Sequence, residues 1–319
     1  MATEEIGFEQ VIDRGCGLDV HKKKIVATIN GRSLKKETRE FVSTTSSLTS
    51  MRDWLLEKGI THVAMESTGV YWKPVYNVLE PAGLTLLVVN ARHIKYVPGH
   101  KTDKKDSAWI CKLLLAGLLK GSFVPPQEQR NMRDLTRYRK KLVQQQSSEK
   151  NRMIRIFEDA NLKLSSVFSD VNGTTCTKVI ESLLEGENDC EELVKLCQHG
   201  NLKSSREELK AALEGNLTEH HRYMLSIIRS DIEQTQKLID SLDERIALLM
   251  QPYAEAITRL SHIPGVGEHT AKELIAEIGT NMDVFPTEGH LASWAGMCPG
   301  NNESAGKKKV QEPRMEVNM

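Results

Sequence analysis

Two aspartates lie one helical turn apart at the start of an apolar helical segment. Asp103 and Asp106 stand in the stretch GHKTDKKDSAWICKLLLAGLL, among several lysines. The N-terminus of a helix favours negative side chains, so an aspartate here can be an ordinary first-turn residue. If further carboxylates converge on the pair, the acids repel one another unless divalent cations neutralise them. Hard oxygen ligands suit magnesium or manganese, and two such metals can assist phosphoryl transfer.

Two more acids occupy positions where such a site would be built. Asp19 lies in the first predicted strand, and Glu66 lies at the C-terminal end of the fourth. The carboxyl ends of strands, and the helix N-termini beside them, are where α/β sheets form their sites. We therefore predict that Asp19, Glu66, Asp103 and Asp106 form one acidic cluster that binds Mg²⁺ or Mn²⁺.

The elements that must position these acids alternate along the first 120 residues. GCGLDVHKKKIVATING predicts two strands joined by a short turn, and ETREFVSTT predicts a third strand. SSLTSMRDWLLEKG predicts a helix, THVAMEST a strand, VYWKPVYNVLEPAG a second helix and LTLLVVN a further strand. Three strands followed by alternating helices and strands predict a mixed sheet with helices packed on it.

Length and composition limit the class of protein. The chain has 319 residues, enough for a buried core and two or three modules. Its formal net charge is zero, so nucleic acid must be attracted by local patches. The six cysteines contain no CxxC pair and predict reduced thiols. The acidic N-terminus does not resemble a signal peptide and no apolar run reaches bilayer length, so we expect a soluble intracellular protein without membrane contact.

The motifs of the first half of the chain resemble those of a known family. GLDVHKK, AMESTGVYW and KTDKKDSAWICKLL are similar to the motifs of the DEDD transposases, described as bridge-RNA-guided recombinases. The resemblance continues to about residue 306. It implies an α/β, ribonuclease H-like (RuvC-like) mixed sheet in residues 1–125. By motif, it also implies that Asp19, Glu66, Asp103 and Asp106 are the metal-binding tetrad.

A basic helical segment opens the middle region, residues 126–255. The stretch RNMRDLTRYRKKLVQQQSSEKNRMIRIFEDANL is rich in arginine and lysine and has few acids. Such a helix either tracks the phosphates of a nucleic acid or presents an ordinary solvated surface. In the family this region belongs to the surface that handles RNA and DNA, so DNA and a structured guide RNA are the expected partners.

A heptad seam follows in the same region. Its apolar positions are Leu225, Ile228, Ile232, Thr235, Ile239, Leu242, Ile246 and Leu249. A seam of this kind packs against its own chain or joins two chains in a coiled coil. The resemblance implies the second, and hence a homodimer or homotetramer.

Residues 256–306 predict a small helical domain. LSHIPGVGEHTAKELIAEIG is typical of a helix-hairpin-helix, whose backbone N–H groups can hold a phosphate or serve in packing alone. FPTEGHLASWAGMCPGNNESAGKKK matches the serine-bearing segment of the family. By that match Ser304 is the nucleophile that becomes joined to DNA, although a serine before Ala-Gly is also a common turn residue. Ser293 and Ser261 are the fallback candidates.

The resemblance implies DNA transposition by a prokaryotic mobile element, with a cytoplasmic, nucleoid-associated enzyme. Metal-assisted strand cleavage would proceed through a phosphoserine, followed by strand exchange and religation, guided by a structured RNA.

Residues 307–319, KKKVQEPRMEVNM, depart from the family pattern and predict a truncated tail. A first alternative is therefore a truncated regulator that binds DNA or RNA. A second is a nuclease that uses only the tetrad and water. A sugar-kinase-like ATPase is disfavoured because Val-His follows Asp19 where a glycine-containing phosphate loop is needed.

Overall fold

The computed structural model describes residues 9–67, 69–90, 106–171, 173–197 and 204–297, together with the backbone of residues 303–304 and 307–308. The chain divides into two compact units, residues 1–124 with 282–319 and residues 125–281. In the described residues, no helix is long and apolar enough to cross a membrane. The four-part division with boundaries after residues 125, 255 and 306 stays a prediction.

The first unit contains a five-stranded mixed sheet. Its strands are β1 (Arg14–Val20), β2 (Lys24–Gly31), β3 (Leu34–Val42), β4 (His62–Glu66) and β5 (Thr85–Val89). Their order across the sheet is β3-β2-β1-β4-β5. The pairs β3/β2 and β2/β1 are antiparallel, and the pairs β1/β4 and β4/β5 are parallel. This is the mixed α/β architecture that the sequence predicts, and it is consistent with a ribonuclease H-like domain.

Helices cover both faces of this sheet, and alternate residues of β1 lie against a different helical layer on each face. Cys16, Leu18 and Val20 pack in a core with residues of α1 (Thr45–Glu57) and α2 (Trp72–Leu79). Successive side chains of a strand point to opposite faces, so the residues between them face the other layer. That layer is α3 (Asp106–Leu115), whose Ile110 and Leu114 pack with Ala64 of β4.

The second unit is helical, and two long helices form its axis. These are α4 (Gln127–Asp159) and α9 (Glu219–Met250). Arg139 bonds Asp243, and Gln146, further along α4, bonds Gln236, which comes earlier on α9, so the two helices run antiparallel. Four shorter helices pack at one end, around Phe157. They are α5 (Leu164–Val167), α6 (Thr174–Glu185), α7 (Cys190–Cys197) and α8 (Arg206–Leu213). Residues 165–220 carry no motif that indicates a function, and the helices described in this range form a packing layer.

The heptad seam of α9 faces the interior of its own unit. Leu225, Ile228, Thr235, Ile239 and Ile246 are buried, and α4 provides the opposing surface. Of the two options that the seam left open, packing within the chain is the one the structure shows. The apolar repeat cannot separate the two options, because an antiparallel helix pair needs the same spacing as a coiled coil between chains.

The end of α9 leads into a helix pair. α10 (Ala254–Ser261) and α11 (Glu268–Ile278) are joined by a turn in which Gly265 has a left-handed φ of 86°. The buried side chain of Arg133 on α4 donates to the carbonyl oxygens of Ala276 and Glu277, so α4 closes the C-terminal end of α11. The remaining elements, in the first unit, are α12 (Glu288–Trp294), β6 (Glu303–Ser304) and β7 (Lys307–Lys308).

Candidate metal centre and strand-cleavage site

Asp19 and Glu66 lie at the carboxyl ends of neighbouring parallel strands, Asp19 one residue before the end of β1 and Glu66 as the last residue of β4. Leu18 of β1 pairs in register with Met65 of β4, so the two acids are the next residue on each strand. Adjacent strands lie about 4.8 Å apart, and residues in register share a face. Both acids are partly buried, and alternation places both on the α3 side of the sheet. The sequence prediction that these two acids lie at the same edge of the sheet agrees with this register.

Asp106 reaches the same face because α3 crosses closely over β1. A Cβ at Gly17 would overlap the backbone oxygen of Ser107 and the backbone nitrogen of Cys111. Only glycine therefore allows α3 to lie this near the strand. Asp106 is the first described residue of α3, and Asp19 lies two residues beyond Gly17 along β1.

The full tetrad is not assembled within the described part of the chain. Asp103 lies outside the described residues, so its predicted place on the same helix face is a prediction still. Among the residues that are described, no group of three or more His, Cys, Asp or Glu side chains lies close enough to hold a metal ion. Asp19 and Glu66 nevertheless share one face of the sheet, the helix that begins at Asp106 covers that face, and carboxylates are the ligands that hard divalent cations prefer. The ligand chemistry therefore fits a divalent metal, and the assembly of the four acids around it stays a prediction.

His21 contacts the carboxylate of Asp19. Its Nε2 lies 2.9 Å from Asp19 Oδ2, and the Asp19 side chain is 18% exposed against 58% for His21. The tetrad pattern names only carboxylates, so it did not reveal His21 as a neighbour of the predicted metal ligand Asp19. The sequence signal was available in GLDVHKK, since residues two apart on an extended chain point to the same side.

Two buried cysteines lie near the predicted site, one on β1 and one on α3. Cys16 and Cys111 are both buried. Burial raises the pKa of the Cys111 thiol to about 11, and burial raises the pKa of Cys16 well above its ordinary value. Because the thiolate is the nucleophilic form and both thiols are buried, we expect neither cysteine to act as a nucleophile at neutral pH.

The segment that leads to Ser304 packs in the same unit as the acids. Phe285 stacks edge to face with Phe123, at 5.5 Å between ring centroids, and with Trp294, at 5.7 Å. The backbone of Ser304 pairs with Lys307 in a short antiparallel ladder. The side chain of Ser304 lies outside the described residues, so its role as the nucleophile stays a prediction.

The fallback serines occupy different places. Ser293 is exposed on α12. Ser261 ends α10 and lines a cavity of about 660 Å³ at the α10–α11 turn, beside His262 and Lys272. Lys272 pairs with Glu268 at 2.6 Å, and this ion pair lowers the pKa of Glu268. A carboxylate in the first turn of α11 weakens the attraction of that helix end for a phosphate, so DNA binding by this helix pair stays a prediction.

The basic helix divides into structural and exposed cations. Arg137 donates two hydrogen bonds to Glu277, at 2.6 and 2.7 Å, and Arg139 binds Asp243 at 2.5 and 2.9 Å. These hydrogen bonds raise the pKa of both arginines. Lys140, Lys141 and Arg155 are exposed on the same helix. Only part of the basic stretch is therefore oriented for contact with phosphates.

Comparison with protein families covers both the acids and the serine segment. Residues 16–161 match the model of the DEDD transposases of the IS110 type, described as a transposase. Residues 257–317 match a second model, described as the transposase IS116/IS110/IS902 family. No curated protein matches the chain. The DEDD transposases typically use a divalent metal. Two transposase models in this order, on a mixed sheet with its acids at the carboxyl edge, place the chain in the IS110-type DEDD transposase family.

Proposed function

We propose that this transposase cuts and rejoins DNA strands through a covalent bond between Ser304 and a DNA phosphate. The observation that carries the proposal is the register of β1 and β4, which sets Asp19 beside Glu66 on the face crossed by α3. Carboxylates gathered at one sheet edge favour divalent cations, and phosphoryl transfer is the chemistry that such cations assist. A transposase family acts on DNA, so the substrate is a DNA phosphodiester.

The acids have one role in this proposal and the serine another. Asp19, Glu66, Asp103 and Asp106 would hold Mg²⁺ or Mn²⁺, which when bound stabilises negative charge on the phosphate and on the leaving oxygen. Ser304 Oγ attacks the phosphorus while its proton passes to a nearby base. The Oγ–P bond forms, the bond to one sugar oxygen breaks, and that oxygen leaves as a hydroxyl. The hydroxyl of another strand end then reverses the step and religates the DNA.

Guidance and assembly complete the proposal. A structured RNA selects the target, as the resemblance to bridge-RNA-guided recombinases implies. A homodimer or homotetramer is the active form. The heptad seam of α9 is buried in its own unit, and we therefore assign self-association to another surface of this helix. Outside the seam, α9 exposes Ile227, Leu238 and Leu248, which are 47%, 51% and 57% exposed. These residues are the ones we assign to contact between chains.

Covalent capture separates this proposal from its two alternatives. Purified protein is incubated with labelled donor-end DNA, Mg²⁺ and copurifying RNA, and the products are separated on a denaturing gel. We expect a slow-migrating protein–DNA band that Ser304→Ala eliminates. A nuclease that uses only the tetrad and water would still cleave DNA as Ser304→Ala and would form no such band. A regulator would bind DNA without cutting it. Either of those two results contradicts the proposal.

The exposed cations of α4 are expected to contribute directly to nucleic-acid affinity. Each lysine that contacts a phosphate releases about one counterion, so the double variant Lys140→Gln/Lys141→Gln should lower the slope of log Kd against log salt by about two. Fluorescence anisotropy with labelled DNA or RNA, at several NaCl concentrations, measures this slope.

The matched control for that experiment removes two lysines of equal charge elsewhere in the same unit. Lys195 pairs with Glu192 at 2.5 Å and Lys210 pairs with Glu191 at 2.8 Å, on α7 and α8. Lys195→Gln/Lys210→Gln changes the net charge equally and should leave the slope unchanged. Equal loss of slope in both double variants would mean that net charge, and not the surface of α4, governs binding.

A further inference from the structure

Three hydroxyl groups connect the edge of the sheet to the first turn of α3. Thr28 Oγ1 on β2 lies 2.8 Å from Ser107 Oγ on α3 and 2.9 Å from Thr38 Oγ1 on β3. Thr28 is fully buried, and Ser107 is 4% exposed. Each hydroxyl has one proton to donate, so both hydrogen bonds can be made whether donation runs from Ser107 towards Thr38 or from Thr38 towards Ser107.

These hydrogen bonds are directional contacts in a largely apolar packing, to which the Cys111 thiol of α3 adds a weaker hydrogen bond, to the carbonyl oxygen of Gly15 on β1 at 3.4 Å. The other contacts of α3 with the sheet include Ile110 and Leu114 against Ala64, which hold the helix near the sheet without fixing its position along the strands. A buried hydroxyl left without its partner is unfavourable, so the Thr28–Ser107 bond opposes sliding or rotation of the helix. This hydrogen bond is made by Ser107, the residue that follows Asp106.

We propose that Thr28 is a positioning residue for Asp106, the acid at the start of α3, because its hydroxyl holds Ser107 and thereby sets where the N-terminal turn of α3 meets β1. The inference rests on the proposed function, in which Asp106 and Asp103 bind metal beside Asp19. Gly17 supports the same geometry, since the absence of a Cβ there lets the backbone of Ser107 lie directly on β1. Gly17 sets the distance of α3 from the strand, and Thr28 sets the register of α3 along it.

The size of the effect follows from how metal sites depend on their supporting residues. Removing a hydrogen bond that orients metal ligands typically costs 10- to 100-fold in metal affinity. Displacement of reacting groups by about 1 Å can cost a further 100-fold in rate. Thr28 is fully buried, so its hydroxyl cannot contact a substrate, and its loss acts through the residues that it bonds, Ser107 and Thr38.

Two substitutions of Thr28 separate the hydroxyl from the packing. Thr28→Val keeps the shape and removes the hydroxyl, whereas Thr28→Ser keeps the hydroxyl and removes a methyl group. Binding of Mn²⁺ to the full chain without DNA is measured by electron paramagnetic resonance, and thermal unfolding is followed in parallel. We expect Thr28→Val to weaken Mn²⁺ binding about 10-fold or more and Thr28→Ser to bind within about threefold of the wild type.

A second variant tests the same bond from the other side. Ser107→Ala should weaken Mn²⁺ binding as Thr28→Val does, and the combined variant should bind no more weakly than either one, because both remove a single interaction. A purely structural role predicts instead that Thr28→Val lowers the melting temperature while Mn²⁺ affinity is retained, and that result overturns the inference. Wild-type protein that binds no Mn²⁺ overturns the proposed metal centre, and the inference with it.

Discussion

Asp19→Asn is expected to lower Mg²⁺-dependent DNA cleavage by about 1000-fold or more, which corresponds to about 4 kcal/mol of transition-state stabilisation. Asparagine matches the shape of aspartate but lacks its charge, so the cation loses a ligand that neutralises it. Asp19 is the acid most firmly placed, on a central strand with Glu66 next to it in register. The rate is measured with labelled duplex DNA at saturating Mg²⁺.

A matched control acid lies on the same face of the sheet. Val26 of β2 pairs with both Asp19 and Glu40, so Glu40 occupies the same row two strands away, where it pairs with Lys24 at 3.4 Å. Glu40→Gln removes an equal charge and should change the cleavage rate less than about threefold, since an exposed ion pair contributes little. Comparable loss in Asp19→Asn and Glu40→Gln, or cleavage by Asp19→Asn above a tenth of the wild-type rate, contradicts the assignment.

Arg133→Met is expected to destabilise the helical unit by about 2–4 kcal/mol. Burial lowers the pKa of the Arg133 guanidinium, and Glu277, 3.3 Å away, offsets part of that burial effect. The same guanidinium donates to two carbonyl oxygens at the end of α11. Methionine fills the volume of arginine but cannot donate to the carbonyl oxygens of Ala276 and Glu277. It also removes the positive charge beside the Glu277 carboxylate. The melting temperature and urea denaturation followed by circular dichroism measure the loss.

The control for this prediction is an arginine at the surface of the same helix. Arg152 pairs with Glu149 at 2.8 Å, and its side chain is 60% exposed. Surface pairs of this kind contribute about 0.3–0.5 kcal/mol, so Arg152→Met should unfold almost as the wild type does. If Arg133→Met is as stable as Arg152→Met, then α4 does not hold the end of α11 through this side chain.

The local elements of the sheet could be predicted from the sequence because their signals are short in range. β4 and β5 follow from apolar runs, and α1 follows from the stripe of Met51, Trp54 and Leu55. β3 was predicted as ETREFVSTT but spans Leu34–Val42. The left-handed φ of 56° at Ser33 turns the chain back at once, and β3 is an edge strand with mostly exposed side chains, so it lacks apolar alternation.

The partners of the basic helix could not be predicted, because they are distant in sequence. Arg137 and Glu277 lie 140 residues apart, and Arg139 and Asp243 lie 104 residues apart. A charge pattern does not reveal whether its counter-charge is a phosphate or an acid of the same fold. The hydroxyl pair of Thr28 and Ser107 is hidden for the same reason, since neither residue belongs to a motif. In contrast, the position of Asp19 beside Glu66 could be predicted because strand ends are visible in the sequence. Their role as metal ligands stays a prediction.

The central claim is that the acids at the carboxyl edge of the sheet form a divalent metal centre, and crystals soaked in Mn²⁺ test it most directly. Anomalous scattering at the manganese absorption edge locates each bound ion without any assumption about activity. We predict anomalous density beside the carboxylates of Asp19, Glu66 and Asp106 in wild-type crystals, and none at that place in Asp19→Asn crystals. Manganese that binds elsewhere, or not at all, at millimolar concentration would contradict the account.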